Sequence, residues 1–296
     1  MNQRKDILKR LISEIEQLPT LPIVSQRIME VIDDENASFK EIVDIVENDQ
    51  ALALKILKIA NSSFYGSLSK VSSLEHAMIK LGTREVKSIV LGFSVQNFFP
   101  DTKNGVFDRK RFWKHAVVVS QVAKLLGSHF RIGNDDSLFL AGLVHDMGKV
   151  ALDQYFHEEF LQIIDHVSSN RSTFSQAEKS ILGTTHYQIA AKILKQWQFP
   201  NNVTFQVLYH HAPWHDQNYQ TNSIVIYLAN ILSKAAGYTC HPDEQPIDIK
   251  QFAQSSEMEF VVKNGFDLDH GILRKLITKV QEYISEESES VMNLFD

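Results

Sequence analysis

Residues 138–152 read LFLAGLVHDMGKVAL, an apolar run in which the strongly polar members are His145, Asp146 and Lys149. Its apolar residues wrap around a helix at spacings of three and four instead of alternating between two faces of a strand. The run is shorter than the ~18 apolar residues that a membrane span requires, so it reads as a core helix. The same spacing recurs along most of the chain, and Gly and Pro number only 12 and 7 in 296 residues. An all-α protein is therefore expected, with one helix running from Asp135 to Tyr155 and carrying the His145-Asp146 pair.

Moving outward from that helix, Ile7 to Leu18 forms an amphipathic helix that stops at Pro19. The elbow Leu18-Pro19-Thr20-Leu21-Pro22 is extended because residues before proline avoid helical geometry. A helix starts at Ile23. Ser38 with Glu41 caps one running through Val46, and Asn48-Asp49 caps the next, which carries Leu52, Leu54, Ile56, Leu57 and Ile59. The chain turns near Gly66, Ser73 opens a helix that Gly82 closes, and Thr83 caps a helix through Phe98. Pro100, Gly105 and polar residues mark a boundary between Phe99 and Arg109.

Further helices are expected over Lys110 to Gly127, through Asp165, over Ser175 to Trp197 with breaks, Asn202 to His210, Ser223 to Ala236, Ile249 to Phe252 and Leu273 to Ile284. These elements suggest three parts: an N-terminal helical bundle over 1–106, a second helical domain over 107–240, and a helical extension over 241–296 that packs on the second part. No internal repeat is visible, and the one biased tract is the acidic, serine-rich stretch from Ser285 to Ser290.

Composition narrows the function. Thirty Lys and Arg against 36 Asp and Glu give a net charge of −6, which argues against nucleic acid as the primary partner. Cys240 is the single cysteine, so neither an intramolecular disulfide nor a thiolate zinc site can form. The charged N-terminal stretch lacks the apolar core of a signal peptide, and a cytoplasmic protein without membrane attachment is expected.

Twelve histidines are the compositional excess, and imidazole is the place to look for chemistry. Burying His145 and Asp146 among leucines is costly unless both are satisfied, which a metal ion or a set of core hydrogen bonds can do. Nitrogen and carboxylate donors suit Fe, Mn, Zn or Mg. His115, His186 and the His210-His211 pair lie on or at the ends of apolar helices and could supply further ligands; each could equally be a hydrogen-bonded core residue. Glu178, eight residues before His186, is a weaker candidate as an acidic bridge. Lys149, one turn beyond the pair, could hold a phosphate, balance Asp146, or extend its head into solvent. His129, His157, His166, His215, His241 and His270 stand in polar surroundings and read as surface residues, and Phe112-Trp113 reads as packing.

In order, His115, His145-Asp146, His186 and His210-His211 resemble the ligand series of the HD superfamily of metal-dependent phosphohydrolases. LPTLP (18–22), KILKIANSSFYG (55–66), VSSLEHAMIKLG (71–82) and the following VKSIVLG resemble the HDOD family, the HD-related output domain of bacterial signalling proteins. The resemblance runs from about Leu11 to Ala236. It implies a helical bundle packed on an HD-like helical domain, a regulatory role with other signalling proteins as partners, and a site that also resembles the cyclic di-GMP phosphodiesterases of the HD-GYP group.

Two departures stand out against that group. No Gly-Tyr-Pro follows His211, where the sequence reads APWHDQNYQTN, and Asn230 stands where the family places its last metal-binding Asp. A neutral amide removes a charge that would help hold a dication, so weak or mononuclear binding is expected, unless Asp216 compensates. The favoured reading is a non-catalytic signalling module; the alternative is a phosphohydrolase with Lys149 on a phosphate or nucleotide ligand. No sensory segment reads within the 296 residues, so input is expected from another chain or a small molecule. A homodimer through the first helix is a further option.

Overall fold

The structure is a computed structural model that describes residues 2–33, 38–62, 65, 71–99, 107–132 and 137–287. Among these residues the regular elements are helices and none is a strand. In chain order they are α1 (Asn2–Glu16), α2 (Ile23–Asp33), α3 (Phe39–Glu47), α4 (Gln50–Ala60), α5 (Leu74–Leu81), α6 (Thr83–Phe98), α7 (Arg109–His129), α8 (Ser137–Val144), α9 (Met147–Tyr155), α10 (His157–Asn170), α11 (Phe174–Ile181), α12 (His186–Gln196), α13 (Asn201–Tyr209), α14 (Gln220–Ala235), α15 (Ile249–Phe252), α16 (Ser256–Lys263) and α17 (His270–Glu287). No described helix is long and apolar enough to cross a membrane.

The chain divides into two compact units, one of residues 20–100 and 282–296, the other of residues 1–19 and 101–281. In the first, short helices are set by their caps. Ser38 Oγ accepts from Glu41 N at 3.2 Å, Asp49 Oδ1 from Leu52 N at 3.0 Å, and Ser73 Oγ from His76 N at 3.3 Å, each satisfying an amide that the helix leaves free. Around α6 the apolar side chains of Val86, Ile89, Val90, Leu91, Phe93 and Val95 are buried, with α2, α4 and α5 as neighbours. Thr83 is not the cap of α6. Gly82 holds that position at φ +84°, the left-handed region that favours glycine, with no side-chain cap. The turn expected at Gly66 and most of the 99–109 boundary lie outside the described residues, as does Asp135.

The second unit contains α1, contrary to the expected grouping of residues 1–106. Leu11, Ile15 and Leu18 are buried, facing Ala151, Leu152, Phe156, Ile189 and Ile193. Trp197 Nε1 donates to Pro19 O at 3.0 Å, and Arg10 pairs with Glu159. An amphipathic first helix buries its apolar stripe wherever a complementary groove exists, and sequence adjacency does not decide which groove. Residues 241–281 likewise belong to this unit. They include α16, which the sequence reading missed, and their side chains at Phe252, Met258, Val261, Phe266 and Leu273 are buried.

At the centre of this unit α7 packs against α8 and α14, while α9 packs against α12. Two glycines set these approaches. A Cβ on Gly142 would lie 2.6 Å from Ser120 Cα of α7, and one on Gly148 would lie 2.0 Å from His186 O at the start of α12. Both distances are far inside van der Waals contact, so only hydrogen fits. The buried Arg109 guanidinium adds a fixed link from α7 to α9, donating from Nε and Nη2 to Asp153 Oδ2 at 2.9 and 2.5 Å.

Candidate metal centre

The single helix expected over 135–155 is two. It breaks at His145 and Asp146, with Asp146 in the N-cap position of α9. Adjacent residues of a continuous helix point about 100° apart, so an unbroken helix could not direct both side chains to one place. At the break His145 Nδ1 donates back to Gly142 O at 2.7 Å and Asp146 faces the same interior point.

Asp146 is the hub, wholly buried like His115, His145, His186 and His210. Its Oδ2 lies 3.4 Å from His145 Nε2, 3.7 Å from His115 Nε2 and 2.7 Å from Lys149 Nζ. Its Oδ1 lies 3.0 Å from His186 Nε2 and 3.5 Å from His210 Nε2. His211 Nε2 is 3.2 Å from His186 Nε2. Five imidazoles from four stretches of chain thus converge on one carboxylate: α7, the α8–α9 break, the first residue of α12, and the end of α13.

The other ring nitrogen of four of these imidazoles is held by an acceptor. His115 Nδ1 donates to Tyr238 O, His145 Nδ1 to Gly142 O and His210 Nδ1 to Val207 O, each at 2.7 Å, and His186 Nδ1 donates to Glu178 Oε2, also at 2.7 Å. A carbonyl or carboxylate oxygen only accepts, which fixes a proton on Nδ1 and leaves Nε2 of each ring, when the ring is neutral, with its lone pair aimed inward. His115 Nε2 and His145 Nε2 consequently face each other at 3.3 Å, a repulsive pairing of lone pairs unless a cation intervenes. Asp146 Oδ1 and His210 Nε2 are buried without a hydrogen bond.

Burial lowers the pKa values of His115 and His210 to about 3 and holds that of His211 well below the ordinary value, so these rings are neutral donors. For His186 burial is the largest effect and pushes downward, but the Glu178 and Asp146 carboxylates together outweigh it and the pKa is raised. Asp146 is driven upward by burial, yet Lys149, His145 and His186 hold its carboxyl well below the usual range. Lys149 is the counterpart: burial opposes its charge, but Asp146, Cys240 and Glu244 keep the ammonium well above the ordinary lysine value.

Several sequence expectations change here. Lys149 has no solvated head. It is 1% exposed, bonded to Asp146, and 3.2 Å from Cys240 Sγ and 3.7 Å from Glu244 Oε1. Glu178 sits behind His186 instead of in the cluster; its Oε2 also accepts from His186 N at 2.8 Å. The chain leaves helical geometry between α11 and α12, which lets Glu178 accept from the first amide of the new helix. Asp216 is not a substitute ligand. It is spent on the start of α14, accepting from Asn218 N, Tyr219 N and Ser223 Oγ at 2.9, 2.8 and 2.6 Å. His241 is buried, not on the surface, with its ring against Phe174.

Asn230 lies buried on α14, and its Oδ1 has no hydrogen-bond partner. Sequence reasoning did not find Tyr238, Cys240, Glu244 or Lys234, whose Nζ is 2.8 Å from Glu244 Oε2. They sit on or just after the end of α14, and no spacing pattern ties that stretch to the histidines.

The donors fit a divalent metal. Metal–nitrogen and metal–oxygen bonds of ~2.0–2.2 Å place neighbouring donors roughly 3–4 Å apart; the nearest pairs here lie 3.0 to 3.7 Å apart, and the ligand atoms of each group all lie within 4.8 Å of one another. The ligand atoms form two groups, Asp146 with His186, His210 and His211, and Asp146 with His115 and His145.

An all-helical chain with a buried carboxylate ringed by imidazoles falls in the class of HD-type helical domains. More narrowly, the HDOD domain family matches residues 18–213, and the chain belongs to the HDOD family. Among solved structures, it is similar to an HDOD domain protein of unknown function from Geobacter sulfurreducens, with TM-score 0.80 and 23% identity over 99% of this chain and 98% of that one. A protein from Marinobacter aquaeolei VT8, named as a candidate signal transduction protein, superimposes with TM-score 0.75 and 25% identity over 99% of this chain and 65% of that one. A candidate phosphohydrolase from Shewanella amazonensis SB2B gives TM-score 0.74 and 19% identity over 95% and 97%. An uncharacterised curated relative from Treponema pallidum (strain Nichols) is 21% identical over 77% of this chain, which spans 44% of that relative's length.

Proposed function

We propose that this chain is a regulatory module of signal transduction whose His/Asp cluster binds a divalent metal without turning over a substrate. The observation that carries this reading is the use of Lys149. A lysine that assists phosphoryl transfer beside a metal must be free to meet a phosphate oxygen, whereas here the ammonium is buried on Asp146. Complete burial of Asp146, His115, His145, His186 and His210 supports the same reading, as does neutral Asn230 in place of an acid. In such a module the metal orders helices α7, α9, α12 and α13 around one point, and the input and output partners are other signalling proteins.

His115, His145, Asp146, His186, His210 and His211 would hold the metal, with Glu178 orienting His186. The nitrogen-rich set favours Fe, Mn or Zn over Mg, which prefers oxygen ligands. When bound, such a metal supplies Lewis acidity and can lower the pKa of a coordinated water. The second reading, a metal-dependent phosphohydrolase that could act on cyclic di-GMP, is favoured by the convergence of inward-facing Nε2 atoms on Asp146.

The two separate in one experiment. Purified protein is analysed for bound metal, loaded with Mn or Fe, and incubated with cyclic di-GMP and a generic phosphodiester. Stoichiometric metal with no hydrolysis above background is the expected result. Turnover that His145→Ala and Asp146→Ala abolish would establish the enzyme instead, and absence of bound metal would remove the metal-binding part of the proposal.

A further inference from the structure

We infer that the groove between α9 and α12 is a docking surface for an amphipathic helix of a partner protein, and that α1 is the chain's own tethered occupant of it. The inference goes beyond the regulatory reading by naming where a partner engages, and it holds whether or not the cluster takes up a metal.

The groove is defined by what fills it. Leu11, Ile15 and Leu18, spaced by four and three along the chain, are buried and face Leu152 of α9 and Ile189 and Ile193 of α12. The other face of α1 is solvated at Lys9, Ser13 and Glu16, and Ile12 on it is 36% exposed. A helix that lays one apolar stripe into a groove and leaves its remaining faces wet is the pattern by which grooves recognise helical ligands from other chains.

The rim of the groove sets the direction of the bound helix. Glu159 pairs with Arg10, and Lys192 Nζ lies 3.3 Å from Glu16 Oε1. Beside that second pair, Gln196 Nε2 donates to Glu16 O and Leu18 O at 3.4 Å each, and Trp197 Nε1 donates to Pro19 O at 3.0 Å. The last carbonyls of a helix have no partner within it, so these side chains serve the C-terminal end of whatever helix lies there. The partner that fits therefore carries a Leu/Ile stripe, a basic residue before it and an acidic residue near its C-terminal end.

Three features make α1 a removable occupant. It ends at Glu16 and is followed by Pro19 and Pro22, which cannot continue a helix, so α1 is joined to α2 by an elbow and not by a continuous helix. Its rim pairs are solvent-exposed at Arg10, Glu16 and Lys192, and such pairs hold little. Its fit is also incomplete: a void of about 10 Å³ remains between its stripe and Leu152 and Ile189, where a protein interior is ordinarily closed. A partner helix with a bulkier side chain in place of Ile15 fills the groove better than α1 does. A short tether keeps α1 at high effective concentration, so it occupies the groove until a tighter helix arrives.

The position gives such docking a consequence. Asp146 is the N-cap of α9 and His186 the first residue of α12, so a helix laid across both braces the two elements that present these side chains to each other.

The test uses the full chain and a fluorescein-labelled peptide of residues 2–19, NQRKDILKRLISEIEQLP, as a stand-in for the partner helix, with binding read by fluorescence anisotropy and folding by circular dichroism. The double variant Leu11→Glu, Ile15→Glu should vacate its own groove and bind the peptide saturably. Wild type, whose groove is filled by the tethered copy, should bind it at least about tenfold more weakly. A peptide carrying the same two substitutions should bind neither protein.

Equal binding to wild type and variant, equal binding of the substituted peptide, or no binding to the folded double variant would overturn the inference. If the double variant fails to fold, Ile15→Ala thins the stripe without adding charge and should still bind the peptide at least about threefold more tightly than wild type; no gain would overturn the inference. A wild-type dimer in light scattering that the peptide dissociates would make the occupant a second copy of this chain and overturn the partner assignment. None of these outcomes depends on metal content, so they stand or fall separately from the metal-binding reading.

Discussion

Replacing Gly148 by alanine tests how closely α9 and α12 approach and what that contact does for the site. The added Cβ would fall 2.0 Å from His186 O and 2.7 Å from His186 C. A carbon needs more than 3 Å from such atoms, and both partners are backbone, so α9 and the start of α12 must separate by about 1 Å. Helix propensity alone argues the opposite sign, since Gly→Ala in a helix gains up to about 1 kcal/mol. Overpacking a rigid contact costs about 1–3 kcal/mol, and more where no side chain can yield. With backbone against backbone, a net loss of about 2–3 kcal/mol is expected, corresponding to a fall in Tm of roughly 4–12 °C for a unit of this size. The same displacement moves Asp146 from His186, now 3.0 Å apart, so Co(II) uptake should weaken in the folded variant. Thermal unfolding by circular dichroism reads the first effect and metal titration the second. A Gly148→Ala protein with an unchanged or higher Tm would refute the close approach and the site geometry built on it.

Three further outcomes follow from the same structure. Glu178→Gln removes the charge behind His186 and exchanges one acceptor oxygen for a donor group; metal affinity should fall about 10–100-fold in a folded protein, read by competition with a chelating dye. Arg109→Met leaves the buried Asp153 carboxylate without its two guanidinium bonds and should cost about 3–5 kcal/mol in urea unfolding, with an effect below 1 kcal/mol contradicting that role.

The metal-free protein should lose stability on acidification. His115 and His210 titrate near 3 when folded against 6.5 when unfolded, so between those values the unfolded chain binds more protons. Their contribution is complete above pH 6.5 and is lost as pH falls toward 3, at about 1 kcal/mol for each ring between pH 6 and 5. His186 has the opposite sign because its folded pKa is raised; its contribution is largely in place below pH 6.5 and does not cancel the loss. Denaturation midpoints in chelator that are flat or rising from pH 6 to 5 would contradict these assignments.

Much of the site was legible because burying His145 and Asp146 in an apolar run demands a partner, and the remaining histidines sat on apolar helices able to supply one. The helical class was legible from the three-and-four spacing, and most caps followed from Ser or Asp before that spacing began. Three features were not. The break at His145-Asp146 has no glycine or proline at the pair, since tertiary packing against α7 and α12 produces it. The grouping of α1 with the later helices depends on which groove its Leu11, Ile15 and Leu18 stripe fills. The reach of Glu244 to Lys149 comes from an irregular loop, where no periodicity links residues 95 apart in the chain.

The most direct measurement is a crystal structure of the Mn- or Co-loaded protein with anomalous scattering recorded at the metal edge. A peak within coordination distance of Asp146 and the imidazoles around it is expected. No peak beside Asp146 in crystals of loaded protein would contradict the account.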